Sequence, residues 1–288
     1  MKDKRKYFFI GARFFTLEKM LNLGLDLVCI AVVKNSPVHN ECKKRKLKYK
    51  IISKKKQLLD LVRKTDFDVL VSNGCPYILP ISDLKKDKEI YINIHPSLLP
   101  DLKGFSPVNG AILFNRPQGA TCHIMDDGID TGSIISQVKV IDVPNISLDA
   151  LYQLTFLAEA MVFEKAYKRD FKISNEVINV ENPIYYTRKI EDQIITKEDD
   201  ISEIIKKVKA FKVEGQYARL FHDDIEFQVK DVEIIYTDMF NKEKHKNNEI
   251  IHIYKNNVIT KEKDCLLLWR LNSVNNLVIG DILIKKYG

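Results

Sequence analysis

The sequence predicts an α/β protein: a mostly parallel sheet with helices on both faces, followed by a smaller, β-rich, barrel-like C-terminal domain. Three observations carry this. Short apolar, β-branched runs alternate with segments of helical spacing through the first half. Their separation is that of strand–helix–strand units, which place strands in parallel. After about residue 175 the pattern changes to short strands divided by polar turns. A chain of 288 residues suits two domains, taken here as 1–180 and 181–288.

Tyr7–Ile10 is apolar and aromatic and reads as a buried strand, ended by Gly11; Phe14 to Leu23 continues as a helix. Leu27–Val33 is the second strand. Gln57–Arg63 carries Leu58, Leu61 and Val62 at helical spacing. Asp68–Ser72 is a third strand, closed by Asn73-Gly74, and Ile90–Ile94 a fourth, stopped by His95-Pro96. Val108–Phe114 is a short helix; Thr121–Met125 and Ile134–Ile141 are strands. Ser147 caps a long helix to about Tyr167, with an apolar stripe of Leu151, Leu154, Ala158 and Met161. Ser202 caps a further helix, with Ile204, Ile205, Val208 and Phe211 on one face. The terminal strands are Tyr217–Phe221, Ile225–Ile235, Ile250–Tyr254, Cys265–Leu271 and Leu277–Ile284, with turns at Asp223-Asp224 and Asn256-Asn257.

Composition narrows the function. The longest apolar run, Leu27 to Val33, is far too short to span a bilayer, and no signal-peptide core follows the basic N-terminus. A cytoplasmic protein without a membrane partner is expected. The five cysteines are odd in number, scattered and without C-x-x-C spacing, so neither a disulfide framework nor a structural zinc site is expected. A net charge of +7 favours anionic partners. Its densest patch, the lysine run at 43–56, reads as a solvated surface rather than a nucleic-acid stripe.

The chemistry is concentrated in two segments. In Tyr91-Ile-Asn93-Ile-His95-Pro96, Asn93 and His95 are two apart on an extended chain and point to the same side. They fall at the C-terminal end of a predicted strand, the edge where open α/β sheets hold ligands. The second segment, Gly119 to Ser133, has Asp126, Asp127 and Asp130 with Gly128 and Gly132 in a turn between strands. Asp130 is favoured to reach His95, since the two glycines let the backbone bend around it. No nucleophile sits in a G-x-S-x-G elbow, so the set suits a reaction whose nucleophile comes with the substrate. His95 serves as general acid or base, Asp130 orients it, and Asn93 donates to a growing oxyanion. That is acyl transfer from a bound donor to a bound amine or alcohol. His123 lies within a predicted strand and reads as structural. No metal is expected, because asparagine is a poor transition-metal ligand and no second histidine is positioned with it.

These residues carry a resemblance. Asn93-Ile-His95-Pro96-Ser97-Leu98-Leu99-Pro100, then Lys103-Gly104 and Pro107, resembles the signature of formyltransferases that use N10-formyltetrahydrofolate. The run G-x-T-x-H-x-M-x-x-x-x-D-x-G from Gly119 to Gly132 is similar to that family's second block. Ser72–Pro80 resembles the loop lining its folate pocket. The match spans roughly residues 5 to 170, and three ordered blocks agree.

The resemblance implies a Rossmann-like formyltransferase domain, the roles given above for Asn93, His95 and Asp130, and N10-formyltetrahydrofolate as co-substrate. It also implies that Tyr77, Ile78 and Leu79, with Met125, Asp126, Asp127, Gly128 and Ile129, hold the pterin, largely by backbone groups. Asp126 and Asp127 suit simple turn roles equally well. The family acts on methionyl-tRNA, on glycinamide ribonucleotide and on nucleotide-linked amino sugars. The loop Gly11-Ala12-Arg13-Phe14-Phe15, with one glycine, argues against glycinamide ribonucleotide. The H-P-S form of the motif and the compact β-rich tail resemble the sugar N-formyltransferases, with dTDP-4-amino-4,6-dideoxyglucose the favoured acceptor and surface-polysaccharide synthesis the setting. Methionyl-tRNA formyl transfer is the alternative, and a non-catalytic nucleotide-binding protein a third. Arg13 and Lys103 are candidate phosphate contacts. Tyr185 and Tyr186 suit stacking on a nucleobase or packing of one domain on the other. A homodimer is expected from the family.

Overall fold

β1 (Lys6–Gly11) is apolar on both faces because helices cover the sheet on both sides. Tyr7 and Phe9 enter one core cluster, where they meet Leu17 and Met20 of α1 (Phe15–Asn22). Phe8 and Ile10 enter the opposite cluster, with Leu58 and Val62 of α3 (Lys55–Lys64). The protein is seen in a computed structural model that describes residues 3–141, 146–239 and 244–284.

β1 is flanked by β2 (Asp26–Val33) and β4 (Val69–Asn73). The seven-stranded sheet runs β3-β2-β1-β4-β5-β6-β7, with β3 (Lys50–Ile52), β5 (Ile90–His95), β6 (Gln118–Ile124) and β7 (Ile134–Ile141). The first five strands pair in parallel. β6 and β7 are antiparallel, a reversal that the mostly parallel reading leaves room for but does not locate. β3, the helix α2 (Pro37–Lys44) and the single turn α4 (Ile81–Leu84) were not expected from the sequence. β3 is a three-residue edge strand inside the lysine run, too short to show a period. The expected 108–114 helix is α5 (Pro107–Leu113).

The long helix α6 (Leu148–Lys168) follows Ser147, whose Oγ accepts from Ala150 N–H at 3.3 Å. Its stripe differs from the expected one. Leu151 and Ala158 are buried, but Leu154 and Met161 are 40% and 56% exposed. The buried face continues instead through Thr155, Glu159, Val162, Phe163 and Ala166. Apolar residues surround this helix, so spacing alone offers two stripes, and the inner one contains a glutamate that a hydropathy pattern places outside.

The chain forms two compact units. One comprises residues 1–108, 117–143 and 151–187; the other comprises 109–116, 144–150 and 188–288. The second contains α7 (Ile201–Ala210) and a five-stranded antiparallel sheet. Its strands are β8 (Ala218–His222), β9 (Ile225–Ile235), β10 (Ile250–Tyr254), β11 (Asn257–Glu262) and β12 (Cys265–Leu271), in the order β10-β11-β12-β9-β8. Among the described residues this is an open sheet rather than a closed barrel. α7 is capped by Asp200 in a reciprocal box with Glu203, not by Ser202. β11 fills part of what read as a turn, since Tyr254 pairs with Asn257 and the turn is Lys255-Asn256. Leu277–Ile284 forms no strand; it makes one isolated bridge, Glu249 with Ile282. Trp269 is fully buried in this core and donates from Nε1 to Thr260 Oγ1 at 2.8 Å.

Candidate active site

β5 ends at the C-terminal edge of the first sheet, and its last residues furnish the site. The two-residue period puts Asn93 and His95 on one face. β6 runs antiparallel beside β5 with Asn93 opposite His123. Directly opposed residues of an antiparallel pair share a face, which brings the second histidine to the first asparagine. Asp130 arrives from the β6–β7 turn at φ +54, a left-handed conformation that aspartate tolerates better than most residues.

The glycines beside it act differently from the expectation. Neither Gly128 nor Gly132 has positive φ. A Cβ on Gly132 would lie 1.8 Å from Ile124 O, and one on Gly128 would lie 2.1 Å from Thr131 Oγ1. Gly132 is required for close approach to main chain, and Gly128 makes room for the Thr131 hydroxyl where it stands; neither is there for bending.

The polar contacts define the chemistry. His95 is buried, and its Nε2 lies 3.0 Å from Leu102 O. A carbonyl only accepts, so Nε2 carries the proton and Nδ1 is the atom free to take one. Nδ1 faces Asp130 Oδ2 at 3.4 Å. Asp130 Oδ2 also accepts from Gly104 N–H at 3.0 Å, and its Oδ1 accepts from Asn93 Nδ2 at 3.3 Å. His123 Nδ1 donates to Ile124 O at 2.7 Å, which leaves Nε2 to accept from Asn93 Nδ2 at 3.2 Å. Two acceptors therefore fix the orientation of the Asn93 amide. His123, read as structural from the sequence, belongs to the site; only the β5–β6 register reveals it.

Burial sets the proton affinities. It lowers the His95 imidazole below its ordinary value, with Asp130 pulling against it. Burial pushes Asp130 up, but a proton on the facing His123 or His95 nitrogen, together with the Gly104 N–H, outweighs it and holds the carboxyl at about 2.

Asn93, His95, His123 and Asp130 line one cleft in the first unit. Tyr77, Ile78, Leu79, Met125, Asp126, Gly128 and Ile129 line it too. Leu79 is buried in the second core cluster, and Tyr77, Cys75 and Met125 pack against it. Anchored in this way, the two loops form part of the cleft wall, which combines apolar and polar residues as a site for a heterocycle does. Asp126 Oδ1 is engaged in its own turn, by Gly128 N–H and Thr131 Oγ1. Asp127 is not part of the lining and accepts from Ser82 N–H at 3.1 Å.

The candidate phosphate and base contacts separate. Arg13 lines the cleft, but its guanidinium is held by Glu159, a fully buried carboxylate whose proton affinity burial raises. The Arg13 guanidinium also lies 5.3 Å from the centre of the Phe156 ring. Lys103, Tyr185 and Tyr186 are outside the lining; Tyr186 is buried and Tyr185 exposed. Gly104, quoted in the motif without a site role, and Phe105, which the sequence reading passed over, are in it.

Residues 29–167 match the family model described as formyl transferase. This chain carries a formyltransferase domain. Curated relatives of that domain are methionyl-tRNA formyltransferases. The one from Wolbachia sp. subsp. Drosophila simulans (strain wRi) is 31% identical over 173 residues, 55% of each chain. That from Orientia tsutsugamushi (strain Boryong) is 36% identical over 108 residues, 37% of this chain and 35% of the other. Matches of this kind span about half the length of these relatives or less.

Among the solved structures that resemble nearly the whole chain are two formyltransferases. One is the N-formyltransferase from Helicobacter canadensis in complex with folinic acid and dTDP-3-aminofucose. It has a TM-score of 0.67 and 20% identity, covering 93% of this chain and 99% of that one. The other is WlaRD, a sugar 3N-formyl transferase in the presence of dTDP and 5-N-formyl-THF, with a TM-score of 0.68, 20% identity and coverage of 96% and 100%. At this identity the likeness establishes a shared fold for the formyltransferase domain and the sheet that follows it.

Proposed function

We propose that the protein moves a formyl group from N10-formyltetrahydrofolate to the amine of a nucleotide-linked amino sugar. The observation that carries this is the meeting of Asn93, His95 and Asp130 at one cleft, with His95 Nδ1 facing Asp130 at 3.4 Å. The folate donor, when bound, supplies an electrophilic formyl carbon. His95 Nδ1 takes the proton of the attacking amine, the Asp130 carboxylate stabilises the resulting imidazolium, and His95 returns that proton to the donor nitrogen as its bond to the formyl carbon breaks. Asn93 Nδ2 offers an N–H to the negative charge growing on the formyl oxygen. Its contacts at 3.2 and 3.3 Å lie at the long end of the hydrogen-bond range, so an N–H can be shared with that oxygen. The lowered proton affinity of His95 keeps the ring neutral, and so able to act as base, at physiological pH.

Likeness over nearly the full length to sugar N-formyltransferases supports the sugar acceptor. The favoured sugar is dTDP-4-amino-4,6-dideoxyglucose. A second reading, transfer to methionyl-tRNA, is supported by the curated relatives of the domain. Purified protein with N10-formyltetrahydrofolate and a panel of nucleotide-linked 3- and 4-amino sugars, with methionyl-tRNA in parallel, separates the two by product mass. A formyl gain on a sugar supports the first reading. Gain on tRNA alone replaces the acceptor and keeps the site. Turnover retained in His95→Ala overturns the mechanism.

A further inference from the structure

The partners of His95 and Asp130 include two main-chain groups of one short loop. Leu102 O receives the His95 Nε2 proton, and Gly104 N–H serves Asp130 Oδ2. Asp101 Oδ1, Lys103 O and Phe105 N–H of that loop point instead to residues 184–187. Asp101 Oδ1 accepts from Ile184 N–H at 2.9 Å, and Lys103 O accepts from Tyr186 N–H at 2.8 Å. Phe105 N–H donates to Thr187 Oγ1 at 3.3 Å, and Thr187 Oγ1 donates to the Tyr185 hydroxyl at 3.2 Å. Lys103 and Tyr185 form a parallel bridge. Lys103 O and Gly104 N–H belong to one trans peptide and therefore point opposite ways, one to the segment and the other to Asp130. One side of the loop holds the reacting pair and the other is held by the 184–187 segment.

The packing between loop and segment leaves no slack. A Cβ on Gly104 would lie 2.6 Å from Tyr186 O and 2.9 Å from Thr187 Oγ1, and Gly104 has φ +109. Glycine is required there on both counts.

We infer that Ile184–Thr187 is a strap that positions the catalytic pair through the 101–105 loop, with Thr187 and Gly104 as its positioning residues. The inference rests on the formyl-transfer reading for its kinetic consequence but not for its geometric one. Thr187 touches no reacting atom. Its hydroxyl fixes Phe105 N–H, which fixes the neighbouring peptide whose N–H serves Asp130 and, two residues back, the carbonyl that holds the His95 proton. Loosening the strap lowers the chemical rate and leaves the cleft's grip on folate unchanged.

The test uses the whole chain and three variants: Thr187→Val, Thr187→Ser and Gly104→Ala. The first readout is the proton NMR signal of the His95 Nε2–H, protected by its bond to Leu102 O and assigned by its absence from His95→Gln. The second is kcat for formyl transfer, set against the Kd for 5-formyltetrahydrofolate. Expected for Thr187→Val is loss or broadening of the His95 signal and a fall in kcat of about tenfold, the factor one hydrogen bond of ordinary strength allows. The Kd stays within about twofold in the same variant, as for a mutation that spares ground-state binding. Thr187→Ser, which keeps the hydroxyl, retains both signal and rate. Gly104→Ala repeats the loss from the loop side, should Thr187→Val fold poorly. An unchanged His95 signal in Thr187→Val and Gly104→Ala overturns the strap. Absence of turnover in the wild-type protein overturns the formyl-transfer reading instead, and the NMR signal still decides the strap.

Discussion

Replacing Asp130 by asparagine removes one negative charge and turns one of its two acceptor oxygens into a donor. Asparagine is isosteric, keeps an oxygen to accept from Gly104 N–H, and tolerates the φ of +54 found at this position. With its oxygen kept for Gly104 N–H, the amide NH2 faces Asn93 Nδ2 and that 3.3 Å contact is lost; the larger loss is the attraction between the carboxylate and a protonated His95 at 3.4 Å. In an effective dielectric of about 20, unit charges at that separation attract by about 5 kcal/mol. Carboxylate charge is spread over two oxygens and the cleft admits water, so about half of this reaches the transition state. A loss of about 2–3 kcal/mol is a fall of about a hundredfold in kcat/KM. The assay is steady-state formyl transfer to the acceptor identified by mass, with circular dichroism and a thermal melt to show that the variant is folded. A folded Asp130→Asn enzyme that keeps a third or more of the wild-type kcat/KM refutes the role given to this carboxylate.

Other consequences can be measured separately. Because burial outweighs the pull of Asp130, the His95 ring titrates below 6.5; an NMR midpoint at or above 6.5 contradicts this. The sign follows directly: His95 is neutral above its lowered midpoint, so base function is lost only as pH falls through that point. Gly132→Ala forces a methyl group to within 1.8 Å of Ile124 O, and is expected to cost about 1–3 kcal/mol in urea unfolding as an overpacked site. Thr260→Val leaves the buried Trp269 Nε1–H without its acceptor and is expected to cost about 1–3 kcal/mol in the same measurement. A loss below about 0.5 kcal/mol there would mean that another group accepts from Trp269 Nε1–H, since that is the low end for an ordinary net hydrogen bond.

Much of the catalytic half was legible because its signals are local. A run such as Leu27–Val33 is a strand by composition, and Asn93 and His95 share a face by counting to two. Asp130 was found from the turn it occupies, although for the wrong reason about its glycines. What escaped depends on partners distant in the chain. His123 enters the site only because β6 is antiparallel to β5 in a register that sets it against Asn93, and no local pattern fixes a register. Arg13 was read as open to a phosphate, yet the residue that holds it is Glu159, within a helix whose apolar spacing gave no reason to turn that face inward. The terminal segment Leu277–Ile284 has strand composition, but it makes a single bridge where a strand needs a ladder.

The strap also bears on how the protein can be divided for experiments. Sequence resemblance fades near residue 170, and a recombinant fragment ended there, or at 180, would contain every side chain of the proposed chemistry. It would lack Ile184–Thr187, the segment that grips the 101–105 loop from outside. Such a fragment can retain the fold and the cleft while its acid–base pair sits on a loop with one side unheld. A minimal catalytic piece of this chain must therefore run at least through Thr187. On the ribosome, likewise, the 101–105 loop lacks these contacts until that stretch has emerged.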